Sequence, residues 1–450
     1  MTFRQHIRAV LVLGLPLVGS HLAQFAVHLV DAVMLGWYDV TALAASVLAG
    51  SYFFVLFIMG GGFAFAVMPM VAEAAEKSDE TRIRRVTRMG LWLSLIYAVA
   101  LLPLMIWSAP ILRAFGQDPE LAQLAEDYLA IVGIGMIPAL LIMVLKSYLA
   151  ALEKTSFILW VTVAAVGVNA ALNWVLIFGN LGVPELGLQG AALASVLTQS
   201  LTLAVFALYV ARGKATREHA LFQRIWRPDP EAFGAVFRLG WPIGLTNLAE
   251  SGMFSASSLI IGLIGTLPLA AHGIALQITS ATFMVHIGLS QAATVRAGRA
   301  MGRADWASLA LGGRAVVAVS MAVVVVTMLA FLLLPELLMS GFLSPDEPSR
   351  SQVFALGASL LAVAALFQLV DAGQVMALGL LRGIQDTKWP MYAAALSYWG
   401  LGIPASYVLG ITLGYGGVGV WLGLVIGLLF AAVLLWWRFL RRFGELRRAG

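Results

Sequence analysis

Asp371 stands in the middle of an apolar run from Leu366 to Leu381, with Gln368 three residues before it and Gln374 three residues after. On a helix that spacing turns all three toward roughly the same side. A second acid, Glu250, sits inside another apolar run, with Asn247 three residues earlier and able to orient it. A charge at the centre of a bilayer costs about 2.5–3.5 kcal/mol on insertion scales, so a carboxyl placed there marks an ion or proton pathway by default. Such a group can hold a proton near neutral pH and shed it when a cation arrives. Glu250 and Asp371 together would then hold protons or a metal ion such as Na+ in one step and an organic cation in another. That mutual exclusion is the physical core of antiport. The bland alternative is that each acid stays protonated and hydrogen-bonds a neighbouring helix. The two acids occurring together weigh against it.

Depth supports the pairing. At a rise of about 1.5 Å per residue, Glu250 lies about 18 Å past Arg238 and Asp371 about 16 Å before Arg382. Both acids therefore fall near one level, close to the bilayer midplane. No Lys or Arg is expected within the helices to neutralise them. A third acid, Asp31, counts toward the outer end of the first helix, where water reaches it, with Gln24 two turns earlier on the same face. Asn169 and Asn173, spaced i and i+4, offer amide oxygens that would complete a polar cluster with it; amides gluing helices together are the plain alternative. His28, His272 and His286 read as satisfied packing residues.

The elements that must carry these groups are apolar helices. The chain has 450 residues, of which 61% are hydrophobic and 11% charged, against about 25% charged in ordinary soluble domains. Runs such as Ala9 to Val30 and Val40 to Ala72 exceed the roughly 20 residues that cross hydrocarbon. The first run lacks a small-residue cleavage site and reads as a retained helix, not a removed signal peptide. Charge clusters divide the chain into twelve spans, near 9–37, 43–72, 89–112, 122–145, 156–178, 188–211, 239–265, 268–295, 308–335, 351–381, 389–411 and 417–437. Of the 28 Lys and Arg residues, 26 then fall on the amino-terminal side, Lys146 and Arg382 among them, and only Arg113 and Arg350 lie opposite. The positive-inside rule places both termini in the cytoplasm.

The net charge of +5 is thus a topology and headgroup signal, and no nucleic-acid role is expected. There is no cysteine, so disulfides and thiolate metal sites are excluded. Gly60-Gly61-Gly62 lacks the lysine of a phosphate-binding loop and suits close helix packing. Without an ATP motif, zinc spacing or nucleophile arrangement, the chain reads as a secondary transporter, not an enzyme, and no cofactor is expected. Met59, Met68, Met70 and Met376 read as packing. Trp37, Tyr38, Trp436 and Trp437 fall at span ends, as in an aromatic belt.

The chain also repeats itself. Leu13-Gly14-Leu15-Pro16 matches Leu239-Gly240-Trp241-Pro242 at an offset of 226, as do Leu43-Ala44-Ala45 with Leu269-Ala270-Ala271, and Asp79 with Asp305. Halves of six spans each share orientation, which implies a pseudo-two-fold axis along the membrane normal. The expected organisation is a six-helix bundle over 1–211, a cytoplasmic linker over 212–238 and a second bundle over 239–450. Pro16 and Pro242 bend the leading helix of each half, as hinges or as static kinks.

Val30-Asp31-Ala32-Val33-Met34-Leu35-Gly36, Ala249-Glu250-Ser251-Gly252-Met253-Phe254, Asn169 to Gly179 followed by Pro184-Glu185-Leu186-Gly187, and Asp371 through Arg382-Gly383-Ile384-Gln385-Asp386-Thr387 together resemble the multidrug and toxic compound extrusion family, in its NorM-like branch. The likeness covers essentially the whole chain. It implies an all-α membrane protein with twelve transmembrane helices, in two pseudo-symmetric bundles around a V-shaped central cavity. It implies export of cationic amphipathic compounds against inward sodium or proton flow, with functional acids at Asp31, Glu250 and Asp371. It also implies a cation site at Asp31, Asn169 and Asn173. Phe367 stands where this branch commonly has tyrosine, and Gly273 where the family often has glutamine. A monomer in the cytoplasmic (inner) membrane, surrounded by lipid, is expected. A lipid-linked precursor flippase would share the architecture but would need cationic residues in its cavity, and none is expected. A channel is disfavoured by the repeat and the paired acids.

Overall fold

The computed structural model describes residues 2–343 and 348–449. Among them twelve helices are long and apolar enough to cross a membrane. They are α1 Phe3–Tyr38, α2 Val40–Glu76, α3 Glu80–Ile106, α4 Pro119–Ala151, α5 Thr155–Phe178, α6 Gly187–Arg212, α7 Pro230–Ile264, α8 Thr266–Gly302, α9 Trp306–Leu333, α10 Arg350–Gly383, α11 Lys388–Thr412 and α12 Gly416–Arg448. Large apolar side chains such as Leu259, Leu263 and Val326 point outward and are exposed. Lipid is the solvent such a surface suits. The chain is a multi-pass, all-α membrane protein.

Helix ends differ from expectation where charged residues lie inside helices. α3 begins at Glu80, nine residues early, because Asp79 caps it by accepting from Arg82 N at 2.9 Å; the basic residues Arg82 to Arg88 occupy its first turns. It stops at Ile106, and a separate short helix, Ala109–Ala114, follows. α7 begins at Pro230, where Asp229 accepts from Ala232 N at 3.0 Å. Arg238 is therefore inside α7 and does not mark its end, and the long connection is 213–229 rather than 212–238. α1 and α7 each run as one helix through Pro16 and Pro242.

Tight turns close the α2/α3, α4/α5, α8/α9 and α10/α11 pairs. In each, an amide reaches back five residues: Asp79 N to Ala74 O, Lys154 N to Leu149 O, Asp305 N to Ala300 O and Asp386 N to Leu381 O. The preceding residues, Ser78, Glu153, Ala304 and Gln385, take positive φ. This is the Schellman ending of a helix, built here without glycine. Asp79 and Asp305, matched at the 226 offset, are thereby explained: each caps the helix that follows.

The chain forms two compact units, one made of residues up to Val18 with Leu245–Gly450, the other of Gly19–Gly244. This does not follow the expected 1–211 and 239–450 division, and side-chain packing gives the reason. In the second unit the start of α7 lies on α2, so a Cβ at Gly62 would fall 2.4 Å from Gly244 N and 2.5 Å from Gly240 O. In the first unit the start of α1 lies on α8, and a Cβ at Gly288 would fall 2.6 Å from Val18 N. Gly62 and Gly288 are themselves 226 residues apart. The connection 213–229 is stapled to the second unit: Arg88 donates to Leu221 O at 2.7 Å, Trp92 Nε1 to Ile225 O at 2.7 Å, and Arg85 pairs with Asp229.

Candidate cation and substrate sites

In the unit that contains Leu245–Gly450, α7 contributes Asn247 and Glu250, α10 contributes Asp371, Gln374 and Arg382, and α11 contributes Tyr398. Glu250 is 8% exposed and Asp371 2%. The two carboxyls act on each other electrostatically, and the Arg382 guanidinium acts on Glu250 with the opposite sign. Arg382 Nη2 also donates to Asn247 Oδ1 at 2.7 Å. Among the described residues, Asp371 Oδ1 is buried without a hydrogen-bond partner, and the Gln374 amide lies between Glu250 and Tyr398 without a well-formed bond to either. Buried polar groups are ordinarily satisfied, so this cluster is the candidate site for an ion or a polar ligand. With both acids ionised, two negative charges face one guanidinium, and the cluster accepts one further positive charge.

The backbone beside each acid is held by an indole. Trp399 Nε1 donates to Ala249 O at 3.0 Å, and Trp436 Nε1 to Gly373 O at 2.9 Å. Trp436 thus ties α12 to the backbone of α10 beside Asp371. Tyr398 and Trp399 lie in a π-helical stretch, Leu396–Gly402, a distortion that recurs at functional sites. α12 permits the close approach of α11: a Cβ on Gly427 would fall 2.7 Å from Gly402 Cα, and one on Gly423 2.2 Å from Ser406 N. Phe367, one turn before Asp371, packs edge-on to Phe254 and Trp421. Trp421 Nε1 donates to His272 Nδ1 at 3.0 Å, and the other ring nitrogen meets Ser258 Oγ at 2.9 Å. His286 meets Ser320.

Three expectations fail here. Arg382 was counted among cytoplasmic charges, yet from the last turn of α10 its long side chain turns inward, so the acids are not without a cation. Gln368 does not join Asp371. It accepts from Thr327 Oγ1 at 2.6 Å and donates to Thr282 Oγ1. Steps of three residues each fall short of a full turn, so Gln368 and Gln374 end up about 120° apart on α10. Asn247 is taken by Arg382, not shown against Glu250.

The second cluster lies in the unit Gly19–Gly244. Asp31, partly buried, accepts from Asn173 Nδ2 at 2.6 Å and from Ser195 Oγ at 3.1 Å. Asn173 Nδ2 also meets Asn169 Oδ1 at 3.2 Å. Asn173 Oδ1 is buried without a partner, the Asn169 amide lies close to Asp31, and Tyr128 on α4 is within electrostatic reach of Asp31. Gln24 stands apart, 3.5 Å from Lys146 Nζ. Lys146 belongs inside α4, not in the turn that follows it. Among the described residues no three His, Asp or Glu side chains are grouped to hold a metal; the oxygens on offer are paired carboxylate and amide groups, which suit a monovalent cation. Ser195, Tyr398 and the inward turn of Arg382 escaped the sequence reading.

A family model described as MatE matches residues 16–175 and 242–408, two segments that begin 226 residues apart, at Pro16 and Pro242. A probable multidrug resistance protein NorM of Agrobacterium fabrum is 44% identical over 434 residues, covering 96% of this chain and 93% of that protein. Its namesake in Rhizobium meliloti is 45% identical over 436 residues, covering 97% and 93%. Among solved structures, an outward-facing multidrug resistance MATE family transporter of the MOP superfamily aligns with a TM-score of 0.89 at 20% identity, over 98% of this chain and 96% of that one. A MOP superfamily transporter from Pyrococcus furiosus aligns at 0.87 and 20%, over 98% and 97%.

Proposed function

This chain belongs to the MatE family of multidrug efflux transporters, and from that premise we propose that it exports cationic amphipathic compounds in exchange for inward Na+ or H+. The observation that carries the reading is the charge deficit at Glu250, Asp371 and Arg382. One proton, one sodium ion or one substrate ammonium neutralises the cluster, and no two of them do so together. Loading from outside with a proton or Na+ therefore displaces a bound organic cation, and loading from inside with the organic cation releases the ion.

Asp31 would serve as a second ion-responsive group. Its Asn173 amide now presents nitrogen to the carboxylate and leaves oxygen unpartnered. A half-turn of that amide would exchange a donor set for an oxygen set of Asp31, Asn169 and Asn173, the arrangement Na+ requires. Both termini and the 213–229 connection face the cytoplasm in this reading, and the membrane is the cytoplasmic (inner) one. A one-for-one exchange of single charges moves no net charge, so the concentration gradient of the ion drives it; a second ion entering through Asp31 would add the membrane potential, about 2.3 kcal/mol per net inward charge per 100 mV.

The test is export of a fluorescent organic cation from proteoliposomes under sodium and proton gradients imposed separately. Export that follows at least one gradient is expected. Flux indifferent to both, or movement of lipid instead, overturns the proposal.

A further inference from the structure

We propose that the segment 221–227 of the long connection is seated in the headgroup layer of the membrane. The Trp226 indole lies at the acyl-chain boundary, and Arg224 and Arg227 hold the phosphate of an anionic phospholipid. The inference concerns this connection alone and does not depend on what the protein exports.

Three side chains on one face of α3 set the depth of the segment. Arg85 pairs with Asp229, Arg88 donates to the carbonyls of Ala220, Leu221 and Gln223, and Trp92 Nε1 donates to Ile225 O at 2.7 Å. At about 1.5 Å per residue, Trp92 lies about 10 Å further along α3 than Arg85. The chain therefore climbs beside α3 to its deepest point at Ile225 and returns to the level of Arg85 at Asp229. That point belongs to the span. A helix needs roughly 20 residues to cross hydrocarbon, and a stretch of α3 ending at Ile106 reaches that length only by starting near Thr87. Trp92 lies past that start, as it also does for the span 89–112 expected from sequence. Ile225 and Trp226 are thus at the boundary of the membrane.

The side chains suit that level. Leu221 is buried and Phe222 and Ile225 are half-buried, whereas Trp226 is 74% exposed on a backbone that α3 fixes. An indole facing outward at this depth is what membrane interfaces select. Arg224 and Arg227 flank it, both exposed and neither in an ion pair among the described residues. Arg227 is within electrostatic reach of Asp229, which Arg85 already holds. The bases Lys214, Arg217, Arg224 and Arg227 are therefore set against Glu218 alone. A basic surplus beside a span draws anionic headgroups, and a guanidinium meets a phosphate through paired hydrogen bonds. In the topology proposed above this is the inner leaflet.

The chain has no cysteine, so a single introduced cysteine carries a fluorophore at one known place. Gln223→Cys and Trp226→Cys label the deep part of the connection, and Ala215→Cys labels its start; all three positions are exposed. In vesicles, phospholipids with a nitroxide on the acyl chain are expected to quench the labels at 223 and 226, most strongly at 226, and dissolved iodide the label at 215. At 223, nitroxide phosphatidylglycerol should quench better than nitroxide phosphatidylcholine. That preference should fall about fivefold with each of Arg224→Gln and Arg227→Gln, and the Lys replacements should keep it. Iodide quenching at 223 and 226 equal to that at 215 puts the segment in water and overturns the proposal. Equal quenching by the two lipids, or a preference indifferent to the arginines, overturns it as well. So does competition by free glycerol phosphate, which would make the site one for a soluble anion.

Discussion

The two acid sites solve the same problem differently. Asp31 is met by neutral donors, Asn173 and Ser195, with His28 one turn away acting on it and no Lys or Arg paired with it among the described residues. Glu250 instead has the Arg382 guanidinium within electrostatic reach, and Asp371 faces Glu250 without a cation of its own. In the proposed exchange each site would take one added positive charge. Only the second reaches that state by balancing formal charges, so changes to it should be costlier than changes to the first.

The largest effect is expected from Asp371→Asn, which removes the charge that nothing else in the cluster balances. Export should fall about 30-fold or more, the equivalent of about 2 kcal/mol, while size-exclusion and circular dichroism show a folded protein. An equal or larger loss from Asp31→Asn would erase the contrast. Next comes Arg382→Met, which leaves Glu250 without its cation and should cost about tenfold. Adding Glu250→Gln to it restores the charge balance, so the double variant should export better than Arg382→Met alone; additive losses would show that the guanidinium does not act through Glu250. Asn173→Ala removes one neutral donor from Asp31 and should cost about fivefold, near 1 kcal/mol. A loss as large as that of Arg382→Met would mean that Asp31 is not the lesser site.

The smallest effect concerns attachment, not transport. Arg85 holds the Asp229 carboxyl below its ordinary value, chiefly through its hydrogen bond, with the amide of Ala232 adding to it. A carboxyl so depressed contributes stability that is fully present above its unfolded value, near 3.9, and is lost as pH falls through the lower folded value. Limited proteolysis of the 213–229 connection should therefore be unchanged between pH 7 and 5 and faster only below about 4. Asp229→Asn should already show the faster cleavage at pH 7.

All twelve spans were readable because hydrophobic length alone decides them. Their ends were not, since Asp79 and Asp229 cap helices whose first turns carry basic residues, and a charge count takes such residues for loop. The acids were legible for the same reason that Arg382 and Lys146 were misread. An acid inside an apolar run has nowhere else to be, whereas a long basic side chain near a helix end can turn outward or inward, and sequence does not say which. Tyr398 depends on a π-helical turn and on the glycines of α12 that admit it. Neither shows in a single-residue scan.

The contacts at Gly62 and Gly288 bear on how the chain is made. Synthesis runs from the amino terminus, and segments generally fold as they emerge. The unit ending at Gly244 has all its residues once α7 is half made, but the leading turns of α1 belong with α8 and must wait until Leu289 has been added. The first stretch translated is among the last to be seated, and fragments cut within 213–229 would each lack a piece that the other carries.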